Sequence, residues 1–417
     1  MRKILIICGT LIALTGSVDA STRLTYSVNG KPTPLYWAEG SFPLHYSIDA
    51  RIAAMSGGQG EIERSFDAWV SDDTQVRFQF DGIKSSAAKE DKANIVSIAD
   101  DLFKDSGFIA YTTTWFDDSG AIREADIQVD TKARVDGYSL LSLVEHEVGH
   151  FLGLDHSAII SSIMYPYVAA QGATALDSDD RIAMATLYPR ASTAPRATIR
   201  GEIDDSNGPI FGAQVVAIND KGIATASALT DHSGRYSLKG LPAGKYRIYT
   251  EPLDGPVEMR NLSGVFQAGR NSSFRTQFLP DNVLVDVAPG GVRDVNTIRI
   301  DGPPATLNPR WVGVFAAGTP DVKLGTTAVR LSPGGTMNIA VGGDGFVSGM
   351  TTFETSNPGI VRVSDFQYGS NYIYATFKVA VDATPGSAVV FVKSGNEIST
   401  LSGALDLIAP ARRRAAR

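Results

Sequence analysis

The chain has 417 residues, a formal net charge of −7, 43% hydrophobic residues, five histidines and one cysteine. The acidity is mild and dispersed, so composition does not point to nucleic acid as a partner. A lone cysteine excludes a disulfide framework, so stability must come from cores of adequate size or from bound metal.

The first twenty residues differ from the rest. A basic start, Met1 to Lys3, is followed by an apolar run and by small residues up to Ala20. The apolar run is too short for a membrane span, so residues 1–20 read as a secretory signal peptide cut after Ala20. A lipoprotein cut before Cys8 is the rival reading. After residue 20 no run is long and apolar enough to cross a bilayer, which leaves a chain of two or three domains at roughly 150 residues each.

Residues 21–190 mix two periodicities. Ile62, Phe66 and Trp69 recur at i, i+4 and i+7 after a glycine-rich turn, which predicts a helix with one buried face. Short β-branched and aromatic runs around Phe78, Val96, Tyr111 and Ile127 predict strands. This block is therefore α/β (α+β). A short Pro-containing joint leads to residues 197–301, where helical periods vanish and alternating strands are cut by Gly, Pro, Asn and Asp turns. That grammar predicts a small β-sandwich, with Asp231 and Gly234 in a turn and Tyr236 and Tyr246 in its core. Residues 305–410 read as a second all-β sandwich, and 411–417 as a basic tail.

Chemistry concentrates between Val144 and Tyr167, where three of the five histidines fall. His146 and His150 are four apart, so a helix projects both from one face. Gly153 permits the left-handed turn that ends such a helix and brings His156 back toward the first two. Three neutral imidazoles form a nitrogen site that suits zinc and leaves a fourth position open for water. Glu147 adjoins that position without being a ligand. It is placed to take a proton from water whose pKa zinc lowers to about 7, and to return it to a leaving amine. A bare H-E-x-x-H arises in many helices without binding metal; Gly153, His156 and a methionine eight residues later make this pattern specific.

These residues, "HEVGHFLGLDH" followed by "SIMYP", resemble the metzincin signature with its Met-turn, and so a zincin/metzincin catalytic domain. Ser157 after His156, and Pro166 two residues after Met164, place the resemblance with matrixins. It implies a zinc metalloendopeptidase acting on protein or peptide substrates, with His146, His150 and His156 as metal ligands and Glu147 as catalytic base and acid. It further implies Met164 as the apolar floor of the site, and Pro166 and Tyr167 as the start of the wall of the pocket after the scissile bond. Here the chain departs from the family pattern, which has tyrosine two after the proline, where Val168 stands. Asp179 and Asp180 match a pair that in the family anchors the N-terminal segment and the Met-turn. Residues 107–116 resemble the edge strand that lies beside substrate, with a central strand as the other reading.

No histidine lies between Phe80 and His146, so a second, structural zinc is not expected. Asp117, Asp118, Glu124, Asp126 and Asp130 could offer oxygens to calcium (Ca2+), or could form a solvated acidic loop. His45 and His232 read as surface or packing residues. The second block resembles carboxypeptidase regulatory-like domains and the third resembles bacterial immunoglobulin-like domains. Neither has a catalytic candidate, and both are of a kind that serves as spacer or binds cell surface, matrix or glycan. The expectation is thus a secreted, extracellular or periplasmic zinc endopeptidase followed by two all-β sandwiches. The alternative is a surface adhesin in which the peptidase domain is accessory.

Overall fold

The computed structural model describes residues 23–103, 108–132, 137–168, 175–191, 193–267, 269, 272–280, 283–316 and 322–409. The expected leader with Cys8, Gly107 at the head of the expected edge stretch, and the basic tail lie outside these residues.

The first domain is built on a five-stranded sheet. Its strands are β3 (Leu44–Asp49), β4 (Phe78–Lys84), β5 (Ile95–Ile98), β6 (Ala110–Phe116) and β7 (Ile122–Val129), in the order β4-β3-β5-β7-β6. All neighbours are parallel except β6, which runs antiparallel to β7 with Tyr111 opposite Gln128 and Thr112 opposite Ile127. β6 is therefore the edge strand, and the central-strand reading is excluded. Helix α1 (Gly58–Asp67) buries Ile62 and Phe66, and Trp69 follows it into the core, as the i, i+4, i+7 spacing predicts. Phe66 stacks on Tyr46 of β3 with ring centroids 3.9 Å apart, which joins helix to sheet.

Helix α2 (Leu140–Phe151) starts at Ser139, whose hydroxyl accepts from the Ser142 amide. It is buried on nearly all sides, and it carries Glu145, His146 and Glu147 inside with it. Acidic side chains are rarely carried into a core, and burial pushes the Glu145 carboxyl up to about 8, which favours its neutral form. Trp69 donates its indole N–H to Glu145 O at 2.8 Å and locks α2 against α1. Helix α3 (Ser178–Leu187) begins with a reciprocal capping box between Asp177 and Asp180. A hairpin, β1 (Thr25–Val28) and β2 (Lys31–Pro34), precedes the sheet. It is tied to the end of α2, since Leu24 N donates to Gly153 O at 3.0 Å.

Residues 197–299 form two facing sheets. One contains 214–219, 224–229, 244–251, 277–278 and 285–287; the other contains 197–205, 208–209, 235–241, 292–294 and 298–299. Tyr236 and Tyr246 are buried between them, and Asp231 accepts from the amides of Ser233 and Arg235 to shape the turn at Gly234 (φ +72°). Residues 308–407 form a second pair, with 308–315, 336–344, 360–362, 367–368 and 372–379 in one sheet and 329–331, 352–355, 386–394 and 397–407 in the other.

The three domains are not beads on a string. One apolar cluster joins Ile160 and Tyr165 of the first domain to Leu253, Met259, Leu262 and Phe266 of the second and to Val341, Ala388 and Leu401 of the third. Ile160 N donates to Ser402 O at 2.8 Å, and Tyr165 donates its hydroxyl to Thr326 O at 2.9 Å. Glu251 is buried between the two sandwiches and accepts from Gln214, Thr400 and Ser402.

Candidate active site

α2 ends where glycine allows it to end. Gly153 has φ +92°, a conformation in which a Cβ would be strained and would lie 2.9 Å from Leu35 O. The resulting turn returns His156 to the face that carries His146 and His150. One ligand nitrogen from each of the three lies within 4.8 Å of the others, and the Nε2 atoms of His150 and His156 are 3.2 Å apart. Among the described residues this is the group of acids, histidines and cysteines that converges in such a way.

The tautomers follow from the partners. His146 Nδ1 faces Ile163 O at 2.7 Å and His150 Nδ1 faces Leu154 O at 2.8 Å, while His156 Nδ1 faces Asn261 O. A carbonyl only accepts, so each Nδ1 carries the hydrogen and each Nε2 keeps its lone pair. Burial lowers all three basicities, His146 to about 3, which keeps the rings neutral. Three inward-facing lone pairs with no proton among them form a donor set for a cation. The nitrogen chemistry fits zinc, and among the described residues no fourth acid, histidine or cysteine joins the three, which fits an open, catalytic coordination.

Glu147 is buried beside this cluster. Burial pushes its carboxyl up to about 7, and a hydrogen bond from Thr112 opposes that rise. Thr112 lies on edge strand β6 and donates from Oγ1 to Glu147 Oε2 at 2.6 Å. Met164 is 2% exposed, and its sulfur lies 2.0 Å from where a Cβ on Gly149 would be, so it packs against the helix that carries His146 and His150. Asp180 holds the Met-turn from below: it accepts from Ser162 Oγ at 2.6 Å and from Ile163 N at 2.9 Å.

Most residues singled out from the sequence thus meet at one place. Asp179 departs in its partner. It accepts from Ser157 Oγ at 2.7 Å and from Ser227 N of the second domain at 2.7 Å, rather than from an N-terminal segment among the described residues. Tyr167 is exposed beside the site, Pro166 is partly buried, and Val168 packs on the core. The acidic residues proposed for calcium are largely committed elsewhere. Glu124 accepts from the amides of Asp91 and Lys92, Asp126 from Lys89 and Ile95, Asp117 from Ser119 and Ala121, and Asp130 from Lys132. They brace loops, and calcium is not shown.

Sequence reasoning missed Thr112, Gly149 and Asn261. Gly149 had a signal, because glycine inside a buried helix is costly without a close neighbour to require it. His45 pairs with Asp81 on the surface and His232 stacks on Phe211, so both are the surface or packing residues expected.

Comparison with known proteins agrees with this geometry. Residues 37–189 match the family model described as matrixin, and residues 198–253 match the carboxypeptidase regulatory-like domain. The chain is 34% identical over 95 residues to stromelysin-3 of Xenopus laevis, covering 20% of each protein. It is 42% identical over 52 residues to karilysin of Tannerella forsythia, covering 12% of this chain and 11% of that protein. Over 187 residues it is 28% identical to the hatching enzyme of Paracentrotus lividus, covering 42% of this chain and 31% of that protein. The aligned parts span less than a third of the length of each of these relatives.

Proposed function

From the match of residues 37–189 to the matrixin model, we propose that the protein is an exported zinc endopeptidase that cleaves extracellular or periplasmic proteins. The observation that carries this reading is the convergence of three neutral, carbonyl-anchored imidazoles next to a buried, unligated glutamate.

His146, His150 and His156 would hold zinc through Nε2. When bound, the ion supplies the Lewis acidity that activates water and polarises a carbonyl. Glu147 does the proton work. Its carboxylate would take a proton from the attacking water and give it to the departing amine. Thr112 holds Oε2 of Glu147 and leaves the other oxygen without that hydrogen bond. The free side of β6 offers backbone groups to an extended substrate, and this mode of pairing tolerates many side chains. Pro166 and Tyr167 would meet the residue after the scissile bond.

The export reading rests on the leader-like residues 1–20. No helix of the described residues is long and apolar enough to cross a membrane. The adhesin alternative gains nothing from the packing, because both sandwiches are fused to the peptidase domain through a common core. An internally quenched peptide blocked at both ends tests the reaction class. Chelator-sensitive cleavage at an internal bond, restored by zinc, is expected; cleavage only of peptides with a free terminus contradicts an endopeptidase.

A further inference from the structure

The second domain does not end at its sheets. After strand 244–251 the chain leaves the sandwich and runs along the site helix's exit before strand 277–278 returns it. The match to the carboxypeptidase regulatory-like model stops at residue 253, so this excursion lies beyond it. Its centre is a tight turn, Met259–Asn261, closed by Asn261 Oδ1 accepting from Glu258 N and by Asn261 N donating to Glu258 O, both at 2.8 Å.

Four contacts fasten this strap to the peptidase domain, one of them directly to the histidine cluster. The Asn261 carbonyl accepts from Nδ1 of His156. Asp155, buried next to His156, accepts from Ser263 N at 2.9 Å and from His156 N at 2.8 Å, so one carboxylate grips both segments. Asn261 Nδ2 reaches the Tyr167 hydroxyl at 3.4 Å. Gly264, at φ +56°, lies so close to the N-terminal hairpin that a Cβ there would be 1.9 Å from Thr25 O. Met259, Leu262 and Phe266 are each at most 2% exposed and anchor the strap in the core shared with Tyr165.

The asymmetry among the histidines is the point. His146 and His150 find their Nδ1 acceptors, Ile163 and Leu154, inside the peptidase domain. His156 finds its acceptor in another domain, 105 residues away. The acceptor fixes both tautomer and ring orientation of a metal-ligating histidine, and outer partners of this kind are worth about 10–100-fold in metal affinity. We propose that Asn261 is a positioning residue for His156, and that the strap of the second domain is a working part of the zinc site. Residues 37–189 then hold two of three oriented ligands, and the sandwich is required for the third.

This inference rests on the zinc reading above, and the test separates the two. Zinc dissociation constants are measured on the full chain by competition with a chromogenic chelator, with thermal melts of the zinc-free proteins as a check on folding. Ser263→Pro removes the amide that binds Asp155, while Ser263→Ala keeps it. Gly264→Ala displaces the strap at Thr25 by an independent route that removes no amide, so the test does not rest on the proline variant alone. The expected result is a dissociation constant raised about 10–100-fold in Ser263→Pro and Gly264→Ala, and unchanged within about threefold in Ser263→Ala. Folded Ser263→Pro or Gly264→Ala protein that binds zinc as tightly as wild type overturns the strap's role. Wild-type protein that binds no zinc overturns the metal reading itself.

Discussion

Thr112 Oγ1 donates to Glu147 Oε2 across 2.6 Å, and so couples edge strand β6 to the proposed base. The same hydroxyl lies 3.1 Å from Glu147 O, so Thr112 binds both the helix backbone and the carboxylate. Thr112→Val should lower kcat on the order of 10-fold, with zinc content unchanged and KM little affected. Thr112→Ser should restore most of the rate. Loss of rate in Thr112→Ser with full activity in Thr112→Val would show that the methyl group, not the hydroxyl, matters.

Gly149 and Met164 define the floor. A Cβ at Gly149 would fall 2.0 Å from the Met164 sulfur and 3.0 Å from the Trp69 ring, both buried. Gly149→Ala should therefore destabilise the protein by about 1–3 kcal/mol through overpacking, although alanine is the better helix former. Urea denaturation measures it; a stabilised variant would show that the floor yields freely.

Asp179 joins the domains. It accepts from Ser157, next to the third histidine, and from Ser227 of the second domain, all in buried surroundings. Asp179→Ala leaves those donors unsatisfied and should cost about 3 kcal/mol. The first two domains should then melt in separate transitions by calorimetry, where the wild type melts in one.

Glu251 makes the fold sensitive to pH. Burial between the sandwiches pushes its carboxyl up to about 7, from an ordinary value near 4.5, against the hydrogen bonds from Ser402 and Thr400. A carboxyl raised on folding stabilises most below its unfolded pKa, and that contribution is lost as pH rises through the folded one. Stability should fall across pH 4.5 to 7, with about 3 kcal/mol assignable to this group. Glu251→Gln should flatten that part of the slope, measured by denaturant unfolding at pH 5 and pH 8. An unchanged slope would assign the titration to other buried carboxyls, such as Asp126 and Asp180, also pushed up to about 7.

The convergence of His146, His150 and His156, with Glu147 beside them and the turn at Gly153, was legible because these residues fall within the 24 residues from Val144 to Tyr167, where spacing constrains their geometry. Ile62, Phe66 and Trp69 were legible for the same local reason. What was hidden is what the tertiary fold brings from afar. Thr112 meets Glu147 across 35 residues, Ser227 meets Asp179 across 48, and Asn261 meets His156 across 105. A hydroxyl in a strand or a main-chain carbonyl in a turn has no pattern of its own, so no periodicity announces it. The sandwiches were legible as folds, but their attachment was not, because the strap's apolar residues read equally well as the core of their own domain.

The central claim is that Glu147 performs the proton transfers at a zinc site held by His146, His150 and His156. Its most direct test is the rate of cleavage of an unfolded protein substrate by wild type and Glu147→Ala, measured alongside bound zinc. One zinc per chain in both proteins, with chelator-sensitive cleavage in the wild type and a loss of at least about 100-fold in the variant, is the expected result. Zinc retained in both proteins with no chelator-sensitive cleavage by the wild type would contradict it.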